Sequence, residues 1–413
     1  MKILMVNKFL HPNGGSETYI FKLGEQLKLL GNEVEYFGMD HEMRLVGNGI
    51  GCYTQNMDFH TGKIQKLIYP FKILYSLEAK KKMSMVLEKF QPDIVHLNNI
   101  NFQLTPSVID AVSRFERKKK RRIKIVATAH DYQWVCPNHM LMIPSSKRLC
   151  FACEGGKYWN CSKNKCIHNS TVKSILGSIE AYFYKARKTY NNIDITICPS
   201  EFLNKKLCTS PYFKDKTITM HNFIVEQNKE KGNIDTEIFT KYDIPHKYVI
   251  YFGRYSQEKG INTLLKVCRN LKEITFVFAG TGPLEEEINK EKNIINVGFQ
   301  TGDALQSLIG KALFSVFPSE WYENCPFSVM ETQMYGVPVV ASDLGGTSEL
   351  VEDHVTGELF PGGCEQELRK RIEKLWKHTE IVEKYKKNCY NTKFATLEQY
   401  CKKLLDIYNG AKD

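Results

Sequence analysis

Short apolar runs recur along the whole chain, and each one ends in a loop rich in glycine, asparagine or histidine. They lie at 2–6, 94–97, 124–129, 195–198, 218–223, 248–252, 275–279 and 337–341. Near-continuous apolar runs, as opposed to alternating ones, mark strands buried on both faces. Amphipathic stretches follow several of them, with Ile20, Leu23, Leu27 and Leu30 spaced as one helical face after the first run. Strands alternating with helices assemble into parallel sheets, so the pattern predicts an α/β chain. At 413 residues the chain exceeds a comfortable single core, which calls for two domains. In open α/β sheets ligands gather at the carboxyl ends of the strands, so the loops behind these runs are where chemistry is to be sought.

The most informative loop is 323–331, which places Glu323 and Glu331 on either side of Asn324, Cys325, Pro326, Phe327 and Ser328. Pro326 suits a first helical turn, where its missing N–H costs nothing, and Phe327, Val329, Met330 and Met334 supply a face for burial. Glu331 then sits about one turn inside the helix, and Glu323 lies in the loop before it. Free N–H groups and the dipole at a helix start favour a bound phosphate, while carboxylates accept hydrogen bonds from sugar hydroxyls. Taken alone, two glutamates around a helix start are an ordinary solvated pair.

Their neighbours change that reading. The run at 248–252 releases into Gly253, Arg254 and, five positions on, Lys259 and Gly260; the two cations are placed to hold a phosphate group. The run at 275–279 feeds Gly280, Thr281, Gly282 and Pro283, and another short strand end lies at 296–299, where Phe299 closes it. After the acidic loop come Gly336-Val337-Pro338-Val339-Val340-Ala341-Ser342 and a further glycine turn at 345–346. The order Gly-Arg-x4-Lys-Gly, Ala-Gly-x-Gly-Pro, Glu-x7-Glu, Gly-x-Pro-Val-x-Ala-Ser resembles the retaining glycosyltransferases of the family 4 type. Those enzymes use nucleotide sugars, build bacterial surface polysaccharides and adopt the GT-B fold.

The resemblance covers nearly the whole chain. It implies two Rossmann-like domains with parallel sheets facing across a cleft. The first would be acceptor-side, at 1–224; the second would bind the nucleotide sugar, at 225–385; and a terminal helix, 386–413, would pack back on the first, with a polar linker near 225–240. It implies that Arg254, Lys259 and the N–H groups from Asn324 to Ser328 stabilise the leaving diphosphate. Glu323 would hold the donor sugar's hydroxyls and Glu331 the ribose, with Gly253, Gly280, Gly282 and Phe299 around the nucleotide. Gly14 and Gly15, directly after the first strand, resemble the loop facing the donor diphosphate and acceptor. His130, at the end of the strand at 124–129, resembles the histidine that contacts the donor sugar. The expected activity is transfer of a hexosyl group to a hydroxyl of a glycan or lipid-linked saccharide, in capsule, O-antigen or exopolysaccharide assembly. A nucleotide-sugar epimerase on the same scaffold and a non-catalytic binding subunit are the alternatives.

Of 13 cysteines, Cys136, Cys150, Cys153, Cys161 and Cys166 fall in one polar segment just after His130. The Cys150-x2-Cys153 spacing with Cys161 and Cys166 nearby reads as a structural zinc site, with Cys136 or His168 as alternative ligands. No catalytic metal is expected. The net charge of +11 concentrates at 80–82 and 114–122, and the aromatic, lysine-bearing stretch 63–82 can lie on an anionic membrane surface. No nucleic-acid recognition motif accompanies the charge. With no h-region at its start and no apolar window of membrane-spanning length, the chain is expected in the cytoplasm, peripheral to the inner face of the membrane.

Overall fold

The structure, a computed structural model, describes residues 1–56, 72–225 and 235–410. It divides into one compact unit comprising Met1–His221 with Leu397–Asp413, and a second comprising Asn222–Thr396.

The first unit contains β1 (Lys2–Val6), β2 (Glu33–Phe37), β3 (Ile94–Leu97), β4 (Lys124–Thr128), the short β5 (Met142–Ile143) and β6 (Arg148–Leu149), β7 (Ile195–Cys198) and β8 (Thr217–Thr219). Six of them form a wholly parallel sheet in the order β2-β1-β3-β4-β7-β8, while β5 and β6 pair separately as an antiparallel ribbon. The order reverses between β1 and β3.

The second unit contains β9 (Val249–Phe252), β10 (Phe276–Ala279), β11 (Ile294–Gly298), β12 (Phe314–Phe317), β13 (Val339–Ser342) and β14 (Gly357–Phe360). Their order, β11-β10-β9-β12-β13-β14, is again wholly parallel and is the dinucleotide-binding order with its reversal between β9 and β12. The continuous apolar runs have a direct cause here. Val249, Tyr251, Phe276 and Phe278 pack in one core with Leu264 and Leu368 from helices on one face, while Tyr248, Ile250 and Val277 pack in a second core with Leu308 and Ile309 on the other. Strands β9 and β10 bury both faces, so their side chains are apolar throughout.

The chain returns to the first unit later than the expected 386. Residues 379–391 form a helix whose Val382 and Tyr385 complete the second unit's core, and Ile224 N–H donates to the Ala395 carbonyl at 2.9 Å beside it. Helix Leu397–Asn409 is the one that joins the first unit. Its Tyr400 hydroxyl lies 2.8 Å from that of Tyr19, and its Tyr408 hydroxyl 2.5 Å from His96 Nδ1. The expected linker at 225–240 is also shorter on its described side, because Glu237–Lys241 is already helical.

Of the proposed membrane-facing stretch 63–82, residues 63–71 lie outside the described residues. Lys80–Lys82 sit on helix Leu77–Phe90, whose Ala79, Met83, Val86 and Leu87 face the core. Much of the charge is paired within the fold: Lys82 with Glu78 at 3.0 Å, Lys118 and Lys119 with Glu88, and Arg122 with Glu116 at 2.7 Å. Among the described residues no helix is long and apolar enough to cross a membrane.

Candidate functional site

The second unit's strand-order reversal sets the loop after β9 beside the loop after β12. Lys259 comes from the first and Glu323 from the second, and Lys259 Nζ lies 2.5 Å from Glu323 Oε1. The same oxygen accepts Trp321 Nε1 at 2.6 Å and Ser319 Oγ at 3.0 Å. Three donors on one oxygen, with the side chain buried, hold the carboxylate in one orientation and leave its second oxygen outside those bonds. Lys259 also stands over the Trp321 ring at 5.4 Å. Ser319 and Trp321 were not singled out from the sequence, though they are donors four and two positions, respectively, before an acidic loop residue.

Backbone contacts lock these loops. Gly260 has φ +75°, and a Cβ there would stand 1.8 Å from the Pro318 carbonyl; Gly345 has φ +64°, and a Cβ would stand 2.4 Å from the Glu323 carbonyl. Only glycine allows both the left-handed backbone and the approach. Gly346 N–H then donates to the Glu323 carbonyl at 2.7 Å, so the turn after β13 fixes Glu323 from behind. Gly280 and Gly282 serve similar close packing, against the Gly253 carbonyl and the Tyr255 backbone.

Arg254 projects into solvent, and no ion pair engages it among the described residues. Helix Phe327–Met334 starts one residue later than expected: Pro326, with ψ 118°, is its extended cap and makes no side-chain capping bond. The first N–H groups of this helix therefore point out of its start without a capping side chain. Phe327 and Ser328 are half-buried there, whereas the Cys325 thiol faces inward, taking the Asn222 N–H at 3.3 Å and lying 3.7 Å from Met330 Sδ, so that only its backbone faces the loop. Burial pushes the Glu331 carboxyl above the usual carboxylate range. Phe299, 71% exposed, stands at the carboxyl end of β11.

In the first unit the reversal between β1 and β3 carries a polar network. Asn7 donates to Glu17 Oε1 at 3.0 Å, Asn99 N–H donates to Asn7 Oδ1 at 3.0 Å, and Asn99 Nδ2 reaches Ser16 Oγ at 3.0 Å. Gly14 and Gly15 begin helix Gly15–Leu29 inside this network, and Glu17 fills its first turn. His130 Nε2 lies 2.8 Å from Asn98 Oδ1, and its ring meets the Tyr19 ring edge-on at 5.0 Å. Burial pushes the His130 imidazole down to about 4, so it is neutral near pH 7 and can hydrogen-bond a hydroxyl without bringing charge. Asn98, Glu17 and Asn7 escaped sequence reading because each is an ordinary polar residue until the sheet order makes them neighbours.

The cysteine segment follows His130 directly. Cys136, Cys153, Cys161 and Cys166 are buried, Cys150 is half-buried, and all five are free thiols. Among the described residues the group of three ligand atoms within 4.8 Å of one another is Asp353, His354 and Glu358, and Glu358 is already engaged by Lys374 at 2.5 Å and Arg371 at 3.1 Å.

The model of Glycosyltransferase Family 4 matches residues 13–227, and that of glycosyl transferases group 1 matches residues 235–392. A Klebsiella pneumoniae protein described as an uncharacterized 42.6 kDa protein in the cps region is 23% identical over 99% of this chain and 100% of its own length. Sucrose-phosphate synthase from Thermosynechococcus elongatus superposes with TM-score 0.70 at 16% identity, covering 99% of this chain and 98% of that one. Anabaena HepE in complex with UDP and glucose does so with TM-score 0.67 at 16% identity over the whole of both chains. With two parallel sheets of the matching kind and a family model spanning more than half its length, the chain belongs to Glycosyltransferase Family 4 and is a glycosyltransferase of the GT-B fold.

Proposed function

We propose that the protein transfers a hexosyl group, with retention at the anomeric carbon, from a nucleoside-diphosphate sugar to a hydroxyl of a glycan or lipid-linked saccharide during surface-polysaccharide assembly. The observation that carries this reading is the oriented Lys259–Glu323 pair at the strand-order reversal, with the exposed Arg254 on the same loop as Lys259 and the uncapped helix start following Glu323. Negative charge grows on the diphosphate as the glycosidic bond breaks. Arg254, Lys259 and the N–H groups of Asn324, Cys325, Phe327 and Ser328 are the groups that stabilise it, and because Lys259 is already oriented it needs no reorganisation at the moment of reaction. Glu323 offers its second oxygen to the sugar's hydroxyls, and Glu331 offers an acceptor to the ribose. Phe299 and the glycines at 253, 280 and 282 border the nucleotide, while His130 and the Gly14–Gly15 turn serve the sugar and acceptor. The UDP complex of HepE supports a uridine nucleotide as the first donor to test, and the cps-region relative supports a polysaccharide setting.

The deciding experiment is incubation with a panel of nucleotide sugars plus oligosaccharide and lipid-linked acceptors, followed by mass and anomeric analysis of the product. Sugar transfer with the anomeric configuration kept is expected for at least one donor. Conversion of donor with no acceptor consumed, or an inverted product, would overturn the assignment.

A further inference from the structure

The segment between His130 and helix Thr171–Arg187 is built of pieces too short to hold themselves. It contains two strands of two residues, a single 3-10 turn at Glu154–Gly156 and the five-residue helix Trp159–Lys163. His139, Leu141, Lys147, Lys165, His168 and Asn169 all adopt positive φ there. Each such residue raises the cost of order, and a two-stranded ribbon of this length is not stable by itself. The centre of the segment is a small cluster in which Cys153, Cys161 and Cys166 pack with Ile143 and Tyr158.

Four of the five thiols lie close together. Cys153, Cys161 and Cys166 pack in that one cluster, and Cys136 is near enough to interact electrostatically with each of the three. All four are buried, between 1% and 7% exposed. Cys136 is tied to Cys166 through Asn138, whose Oδ1 takes the Cys136 thiol at 2.8 Å and whose amide reaches the Cys166 carbonyl at 3.5 Å. Cys150 is more exposed, takes a bond from the Ala152 N–H at 3.4 Å, and packs against the cluster from its partly buried edge.

The geometry points to a structural tetrathiolate site for zinc made by Cys136, Cys153, Cys161 and Cys166, with Cys150 outside the ligand set. Four buried soft donors with no disulfide among them are the donor set that selects such an ion, and Zn–S bonds of about 2.3 Å close a tetrahedron without redox chemistry. Among the described residues no three of these sulfurs all lie within 4.8 Å of one another, wider than in a filled site, so binding draws them in and supplies order that local packing lacks. The consequence reaches the loop after β4. His139 Nδ1 meets Asp131 Oδ2 at 3.2 Å and its ring stacks on Phe102 at 4.9 Å, so a clamped segment holds the residue next to His130.

The test is the metal content of the full chain, purified without chelator, by elemental mass spectrometry. About one zinc per chain is expected, falling at least tenfold in Cys161→Ser and Cys166→Ser and unchanged in Cys150→Ser. Because a ligand variant may fail to fold, wild-type chain from cobalt-supplemented medium provides a second reading, in which intense thiolate-to-cobalt absorption is expected. Wild-type protein with neither zinc nor that absorption overturns the site, as does alkylation mapping that finds these thiols in disulfides. Zinc lost from Cys150→Ser but kept in Cys136→Ser overturns the ligand set. None of these outcomes bears on sugar transfer, so the two proposals fail separately.

Discussion

Lys259 and Glu323, 64 positions apart in sequence, meet at 2.5 Å because β9 and β12 are neighbours in the sheet and both loops leave from their carboxyl ends. The carboxylate holds the ammonium against Trp321 in a partly buried place, so the cation is positioned before any anion arrives.

Replacing that cation tests its part in catalysis. Lys259→Ala is expected to lower kcat/KM by about 10²–10³, equivalent to roughly 3–4 kcal/mol, as for loss of one oriented donor to developing charge. Lys259→Arg should recover part of it. Turnover within twofold of wild type in both Lys259→Ala and Arg254→Ala would remove the diphosphate role from these residues.

Glu331 offers a pH signature. Burial raises its pKa, so it stays protonated to higher pH than an ordinary glutamate, and a protonated carboxyl is a poorer acceptor for ribose hydroxyls. Donor KM is therefore expected to rise as pH falls through that raised pKa. In Glu331→Gln the KM should be several-fold higher at neutral pH and no longer follow this titration. A pH profile identical in wild type and Glu331→Gln would show that some other group titrates.

Gly345 provides a backbone test. With φ +64° and the Glu323 carbonyl 2.4 Å from any Cβ, Gly345→Ala must move one loop or the other. The strain costs about 1–3 kcal/mol in stability. A second effect should exceed it, a loss of kcat from the displaced Glu323. Thermal unfolding and steady-state kinetics on the same preparation separate the two, and a variant with full kcat would mean that Glu323 tolerates the shift.

His96 predicts how stability depends on acid. Burial pushes its imidazole from 6.5 down to about 3, while its ring nitrogens meet Thr128 Oγ1 at 2.8 Å and Tyr408 OH at 2.5 Å. Below 6.5 the unfolded chain binds a proton that the folded chain refuses. The neutral fold's advantage is complete above 6.5 and shrinks as pH falls toward 3. Between pH 7 and 5 this amounts to roughly 2 kcal/mol, and His130 adds in the same direction. Urea unfolding at the two pH values should show the loss, and His96→Gln should show less of it. An equal loss in that variant would assign the effect elsewhere.

The alternating grammar of apolar run, loop and helix was legible residue by residue, because strands buried on both faces must be apolar throughout; Tyr248 to Phe252 shows this, its side chains alternating between two cores. The acidic loop, the two cations and the glycine turns were legible as types in order along the chain. The late return at Leu397 was not, because helices 379–391 and 397–409 are both amphipathic and only their packing partners separate them.

By itself the sequence determined which segments become strands and helices, since burial periodicity is a local property, and it placed the chemically able residues at strand ends. The tertiary structure alone decided which of those ends are adjacent, because strand order depends on crossovers that no local pattern records. That order sets Lys259 on Glu323, surrounds one carboxylate oxygen with Ser319 and Trp321, and pairs Asn98 with His130. The fold of the segment after β4 likewise brings Cys136 near Cys166 through Asn138, thirty positions apart in a cysteine set whose ligands spacing by itself leaves undecided.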